Sequence, residues 1–305
     1  MARAAQQPAP PQPTFRATAP LVIVPVTVLD ASGRPVDGLE PADFELLDNG
    51  KPRRFDTEER VQPIALVIVV QASLNAAAVL KRINRIGSLI EPLLIGRRGT
   101  AAVLRFANDP ELVHPFTNDP SRLTQALAGI RPRGSQRRQL DAVAEALRLL
   151  KDRRDHRRVI LLVSERRDLG SRQPLDEIAS AAQRDNVAIY SLTFSPMLGE
   201  LTAKPGHAAP PSGMDLSALF KLLKQMGQQD ATAVLANSTG GRSLGFLKQE
   251  TLEESITAIG EELHSQYLLS FVPEASDAGR FHALTVRMRR RTGVLVRARL
   301  AYWLE

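Results

Sequence analysis

The clearest pattern in the chain is the unbroken apolar run Ile64 to Val70, which ends in the small polar residues Gln71-Ala-Ser-Leu-Asn75. Mostly β-branched residues without alternation suit a strand covered on both faces, and apolar positions at helical spacing follow from Ala76 to Ile95 (Val79, Leu80, Ile83, Ile86, Leu89). A strand that runs into a helix places the turn Gln71 to Asn75 at the strand's carboxyl end, where open α/β sheets bind their ligands.

The alternation continues to about residue 245. Thr100 to Ala107 predicts a second strand, and Glu111 to His114 a short edge strand joined to it by a hairpin. Asp119-Pro120 opens a helix, with proline suited to the first turn. Gly134 to Gln139 reads as a polar loop and Leu140 to Leu150 as a helix, followed by a buried strand at Arg158 to Ser164, a helix at Pro174 to Arg184 and a strand at Val187 to Phe194. Ser195 to Gly213, with four prolines, predicts a long loop. Helices follow at Asp215 to Met226, Asp230 to Asn237 and Glu250 to Ser265, with a turn at Thr239-Gly-Gly241 and a short strand after it. This order predicts an α/β fold with a doubly wound, mostly parallel sheet.

Both flanks carry a different period. Val22, Val24, Val26 and Val28 alternate with their neighbours, and Asp30 to Gly33 and Asp48-Asn-Gly50 mark turns of β-hairpin elements. At the far end, Gln266 to Pro273, Phe281 to Arg289 and Val294 to Tyr302 read as three strands. Neither flank has enough strands to bury two faces alone, so the two are expected to combine into one β-sandwich around the α/β insertion. The expected division is a Pro/Gln-rich flexible tail over 1–20, an N-terminal β module over 21–60, the α/β domain over 61–265 and the C-terminal strands over 266–305.

Composition narrows the function. Apolar residues make up 43% and charged residues 24% of 305 residues, enough for a sizeable core, and no apolar run approaches the length of a membrane helix. With zero cysteines, thiol catalysis, disulfides and cysteine metal sites are excluded. The net charge of +7 is an arginine excess spread over several stretches, without interleaved aromatic stacking residues. It reads first as solvated surface and second as a binder for an anionic polymer or membrane surface: polysaccharide, lipid headgroup or nucleic acid. None of the five histidines pairs with another at metal-ligand spacing, and no Ser/His/Asp set or nucleophile elbow is present. The residues thus point away from an enzyme.

The string Val28 to Lys51 (VLDASGRPVDGLEPADFELLDNGK), together with Leu235-Ala-Asn-Ser-Thr-Gly-Gly241, Tyr267 to Pro273 and Val296 to Tyr302, resembles the VWFA-related acidobacterial domain family, bacterial envelope or secreted proteins. The resemblance implies a von Willebrand factor A-type domain acting in adhesion or protein–protein contact. Ala2 to Gln7 reads like the end of a signal peptide, which fits a secreted, periplasmic or envelope location. The family's metal-ion-dependent adhesion motif reads Asp-x-Ser-x-Ser. Here Gln71 stands for the Asp, Ser73 matches the first Ser, and Asn75 stands for the second. Arg137 falls at the family's distant Thr and Glu165 at its later Asp.

With one hydroxyl and one carboxylate left, and a cation at the ion's place, the expectation is a degenerate motif with no bound Mg²⁺ or other cofactor. Gln71, Ser73 and Asn75 are expected to cap the following helix. Arg137, held by Glu165, would offer its guanidinium to an acidic protein partner of unknown identity, with Ser73, Asn75 and Glu165 as further contact candidates.

Overall fold

The structure is a computed structural model that describes residues 21–57, 62–195, 230–274 and 280–304. The expected tail over 1–20, most of the Ser195 to Gly213 loop and the helix at Asp215 to Met226 lie outside these residues.

At the centre stands β5 (Ile64–Gln71), buried at every position because helices cover both faces of its sheet. It pairs in parallel with β6 (Thr100–Phe106) and with β8 (Arg157–Ser164). β9 (Val187–Thr193) and β10 (Ser243–Gly245) extend the sheet in parallel beyond β8, and β7 (Pro110–Thr117) closes the other edge antiparallel to β6. The spatial order is β10-β9-β8-β5-β6-β7. Chain progression therefore reverses between β5 and β8, the point at which a doubly wound sheet opens a crevice at its strand ends.

One face is covered by α1 (Ala77–Ile83), α2 (Pro120–Ala128) and α6 (Gln249–His264), which share an apolar cluster with Ile68, Val70, Val103 and Leu161. The other is covered by α3 (Gln139–Leu150), α4 (Leu175–Arg184) and α5 (Ala231–Ser238), packed on Val67, Val69, Ile160 and Leu162. Burying each such side chain contributes about 1.5–3 kcal/mol.

The helix expected over 76–95 is broken into four pieces: a 3₁₀ turn at Leu74–Ala76, α1, a short turn at Gly87–Leu89 and a π turn at Ile90–Ile95. Two residues within these pieces are special. Gly87 lies against α2 so closely that a Cβ there would sit 2.5 Å from the Thr124 Cα. Pro92, inside the π turn, has no N–H to continue an α-helical ladder.

The flanking segments build two further antiparallel sheets. In the first, β1 (Val22–Leu29) lies between β11 (Tyr267–Phe271) and β13 (Leu295–Ala298), and β4 (Asp56–Thr57) pairs with β11. In the second, β12 (Arg280–Met288) lies between β2 (Phe44–Asp48) and β14 (Ala301–Leu304), and β3 (Lys51–Arg53) forms a hairpin with β2. Asn49 and Gly50, at φ 49° and 78°, supply the left-handed pair this tight turn requires. Val24, Val26, Phe44, Leu46, Phe271, Leu284 and Tyr302 form one apolar cluster drawn from both sheets.

The single strand expected over 294–302 is instead two strands in different sheets. The corner is Arg299-Leu300, held at the end of α5 by an isolated bridge between Thr239 and Arg299 and by Leu300 N–H donating to Ser238 O (3.1 Å). The Arg299 side chain, buried at this corner, donates to Asn186 Oδ1 (2.9 Å).

Candidate functional site at the switch point

Gln71 ends β5 and Glu165 follows β8, so neighbouring parallel strands bring two residues 94 positions apart into contact. Their side chains form a closed exchange. Gln71 Oε1 accepts from Glu165 N–H (2.9 Å), and Gln71 Nε2 donates to Glu165 Oε1 (2.9 Å). The same Nε2 donates to Ser73 Oγ (2.8 Å). The second carboxylate oxygen, Glu165 Oε2, accepts from Arg137 Nη1.

Arg137 is fixed from its backbone as well. Its N–H and C=O pair with those of Leu169 (3.1 Å each), which ties the loop before α3 to the loop after β8. Asn108 Oδ1 holds the same loop by accepting from Ser135 N–H (3.2 Å) and Gln136 N–H (3.1 Å). Leu74 N–H reaches Gly134 O (2.9 Å) and Arg133 N–H reaches Ala72 O (2.6 Å), joining it to the turn after β5.

The sequence-derived residues thus converge, with two corrections. Ser73 precedes the 3₁₀ turn but its side chain makes no cap, because Gln71 is long enough to reach the hydroxyl first, and Asn75 is exposed and outside the network. Ser73 and Glu165 are buried, so of the four expected contact residues only Arg137, its side chain 22% exposed, and Asn75 reach solvent.

Other residues of the site were not foreseen. Asp168 and Ser171 cap α3 from a separate loop: Leu140 N–H donates to Asp168 Oδ1 (3.2 Å) and Ser171 Oγ (3.1 Å). In return Asp141 Oδ1 accepts from Arg172 N–H and Gln173 N–H (3.0 Å each). The spacing Asp168-x-x-Ser171 is a capping signal, but here the helix it serves lies earlier in the chain. Buried Gln139 meets Ser164 Oγ (3.0 Å) beneath Glu165.

This donor set does not suit a divalent cation. Such an ion takes about six oxygen ligands. Here the amide N–H of Gln71 points at both the Ser73 hydroxyl and the Glu165 carboxylate, and a guanidinium occupies the remaining carboxylate oxygen. Among the described residues no group of three or more His, Cys, Asp or Glu side chains is arranged to hold a metal.

Residues 66–167 match the family model of the von Willebrand factor type A domain. The match runs from β5 to the loop after β8, and so takes in Gln71, Arg137 and Glu165 at the switch-point edge. No curated protein matches the chain. Solved structures similar in fold include the conserved hypothetical protein BatB from Bacteroides thetaiotaomicron, at 14% identity over 65% of this chain and 99% of that one, with a TM-score of 0.43. A von Willebrand factor type A protein from Catenulispora acidiphila is 9% identical over 95% of this chain and 76% of its own, with a TM-score of 0.46. Proximal thread matrix protein 1 from the mussel byssus, solved with zinc in its metal-ion-dependent adhesion motif, is 13% identical over 68% of this chain and 47% of its own, with a TM-score of 0.48.

Proposed function

We propose that the chain is a non-enzymatic protein-contact module in which the Arg137 guanidinium does the work that a bound cation does in relatives with an intact adhesion motif. It is presented at the switch-point edge and attracts a carboxylate of the partner. The observation that carries this reading is the arginine held on buried Glu165, which is in turn fixed by Gln71. A guanidinium keeps its charge at any physiological pH and offers a planar fork of donors matched to a carboxylate. The α/β domain over 61–265 carries the contact edge, and the segments 21–60 and 266–305 frame it as a β-sandwich.

The resemblance to envelope and secreted proteins makes the bacterial envelope or exterior the expected place of action. Among the described residues no helix is long and apolar enough to cross a membrane.

The test titrates Mg²⁺, Mn²⁺ and Ca²⁺ into chelator-treated protein by calorimetry and thermal melts, and passes envelope extract over immobilised wild type and Arg137→Glu at two salt concentrations. The expected result is no metal heat, no shift in Tm, and loss of the retained partner in R137E. A metal-dependent rise in Tm overturns the ion-replacement reading. Retention that survives R137E but falls steeply with salt favours instead the arginine-rich surface as a binder of polysaccharide, lipid headgroups or nucleic acid.

A further inference from the structure

Away from the switch-point edge, α3 and α4 leave between them an open groove of about 940 Å³. Its floor is formed by half-buried Ala144 and Ala181 over the buried side chains of Leu147 and Ile178. The α3 side is basic, with Arg148 followed by Lys151, Arg154 and Arg158. Arg148 is already paired with Glu145 (2.5 Å), whereas Lys151 and Arg154 stand exposed at the rim. On the α4 side the charge changes sign: Asp176 and Glu177 lie in the first turn of the helix. One end is walled by Phe281, which packs edge-on against Trp303 (5.0 Å between centroids). The Arg184 guanidinium lies 5.0 Å from the Trp303 ring centre and 5.8 Å from that of Phe281, a cation–π arrangement that fixes this end of the wall.

We infer that this groove is a second docking site, for an acidic amphipathic segment of a partner protein that lays apolar side chains on the alanine floor and carboxylates against Lys151 and Arg154. Three observations select this occupant. A phosphodiester or sulfated chain drawn to the basic α3 side would also meet the carboxylates of Asp176 and Glu177, whereas a peptide can carry acid on one side only. The longest segments of this chain outside the described residues are not acidic: residues 1–20 contain Arg3 and Arg16 and no Asp or Glu, and 196–229 contain Glu200 and Asp215 against Lys204, Lys221 and Lys224. A second copy carries the same net charge of +7, so charge complementarity points to a foreign, acidic chain.

The site is independent of Arg137, and the test separates the two. The probe is a fluorescent helical peptide of about four turns, with glutamates on one side and leucines on the other. Its controls are the same peptide with alanine for leucine, and oligothymidylate. By fluorescence anisotropy near physiological salt, the leucine peptide is expected to bind the wild type and Arg137→Glu alike. Binding should fall about tenfold or more in the surface double variant K151E/R154E, as expected for two lost charge contacts. It should also fall in Ala181→Leu, with thermal melts showing both proteins folded.

Absence of peptide binding, or binding unchanged in K151E/R154E, overturns the inference. So does oligothymidylate or the alanine peptide binding as well as the leucine peptide, which would make the face a general anion surface. A concentration-dependent dimer abolished by K151E/R154E would make the occupant a second copy and would overturn it as well.

Discussion

Two buried carboxylates, each paired with an arginine, sit at different places on the α/β sheet and teach different things. At the switch-point edge, Glu165 is enclosed by Gln71 and holds an arginine that reaches solvent. At the junction with the antiparallel sheets, Glu262 near the end of α6 is 1% exposed. It accepts from Arg297 of β13 and from the hydroxyl of Tyr190 on β9 (3.1 Å). Gln266 donates to that hydroxyl (3.2 Å) and to Thr27 Oγ1 of β1 (3.0 Å), and accepts from Arg157 at the start of β8. The first pair presents charge outward. The second keeps Glu262 and Arg297 inside, with Arg242 at its margin (4.0 Å from Glu262, side chain 19% exposed), and joins two antiparallel strands, the α/β sheet and its last helix. A buried ion pair is a contact device only where one partner can still be reached.

The largest effect is expected at the junction. Glu262→Ala leaves Arg297 charged and buried, and should lower unfolding free energy in a denaturant titration by about 3–5 kcal/mol. Glu262→Met together with Arg297→Met should recover much of that loss. If E262A costs no more than a surface change, the junction is not a sealed ion pair.

Tyr190 gives the next largest effect. Burial, and then the charge of Glu262, push its hydroxyl well above the usual tyrosine range. Its folded pKa is raised, so its contribution to stability is complete below the unfolded pKa of about 10 and is lost as pH rises through the folded value. The stability advantage of Tyr190 over Tyr190→Phe should therefore shrink above pH about 10 by about 1.4 kcal/mol per pH unit. In a spectroscopic titration one of the three tyrosines should stay protonated until the chain unfolds. Early ionisation of all three would contradict the sealed junction.

At the edge the expected costs are smaller. Arg137→Ala should destabilise by about 1 kcal/mol, since the arginine is partly exposed and Glu165 keeps its bonds to Gln71; a cost equal to that of E262A would erase the distinction. The smallest effect is expected from Gln71→Asp with Asn75→Ser and Arg137→Thr, which supplies an oxygen-rich set and should show a Mg²⁺-dependent rise in Tm of about one degree beyond any seen in the wild type. A flat response would mean that the loop geometry does not suit a divalent ion even with oxygen ligands in place.

Much of the edge was legible in the sequence because it hangs on the strongest signal there. The apolar run of β5 fixes where Gln71 must lie, and parallel pairing brings Glu165 beside it. The side-chain partners were less legible. Whether Ser73 caps a helix or receives Gln71 depends on a reach of a few ångströms that no spacing records. The junction was not legible at all, since Tyr190, Glu262 and Arg297 come from three elements and share no motif. The break at Arg299 escaped for a related reason: alternation of apolar and polar residues continues through Val294 to Tyr302, and only contacts with Ser238 and Thr239 turn the strand into another sheet.

The pairing of β1 with β11 and β13 also sets a timetable for synthesis. Val22 faces Phe271, and Val28 faces Val296, so β1, once made, finds neither neighbour until residues 267–298 have followed it from the ribosome. At about 5–20 residues per second that wait lasts tens of seconds. Throughout it, the alternating valines of β1 and the apolar face of β2 remain open to any other unpaired strand. The α/β core can close earlier, because its own strands arrive in succession. A nascent chain halted near residue 265 should thus carry a finished sheet and a chaperone-dependent amino-terminal ribbon.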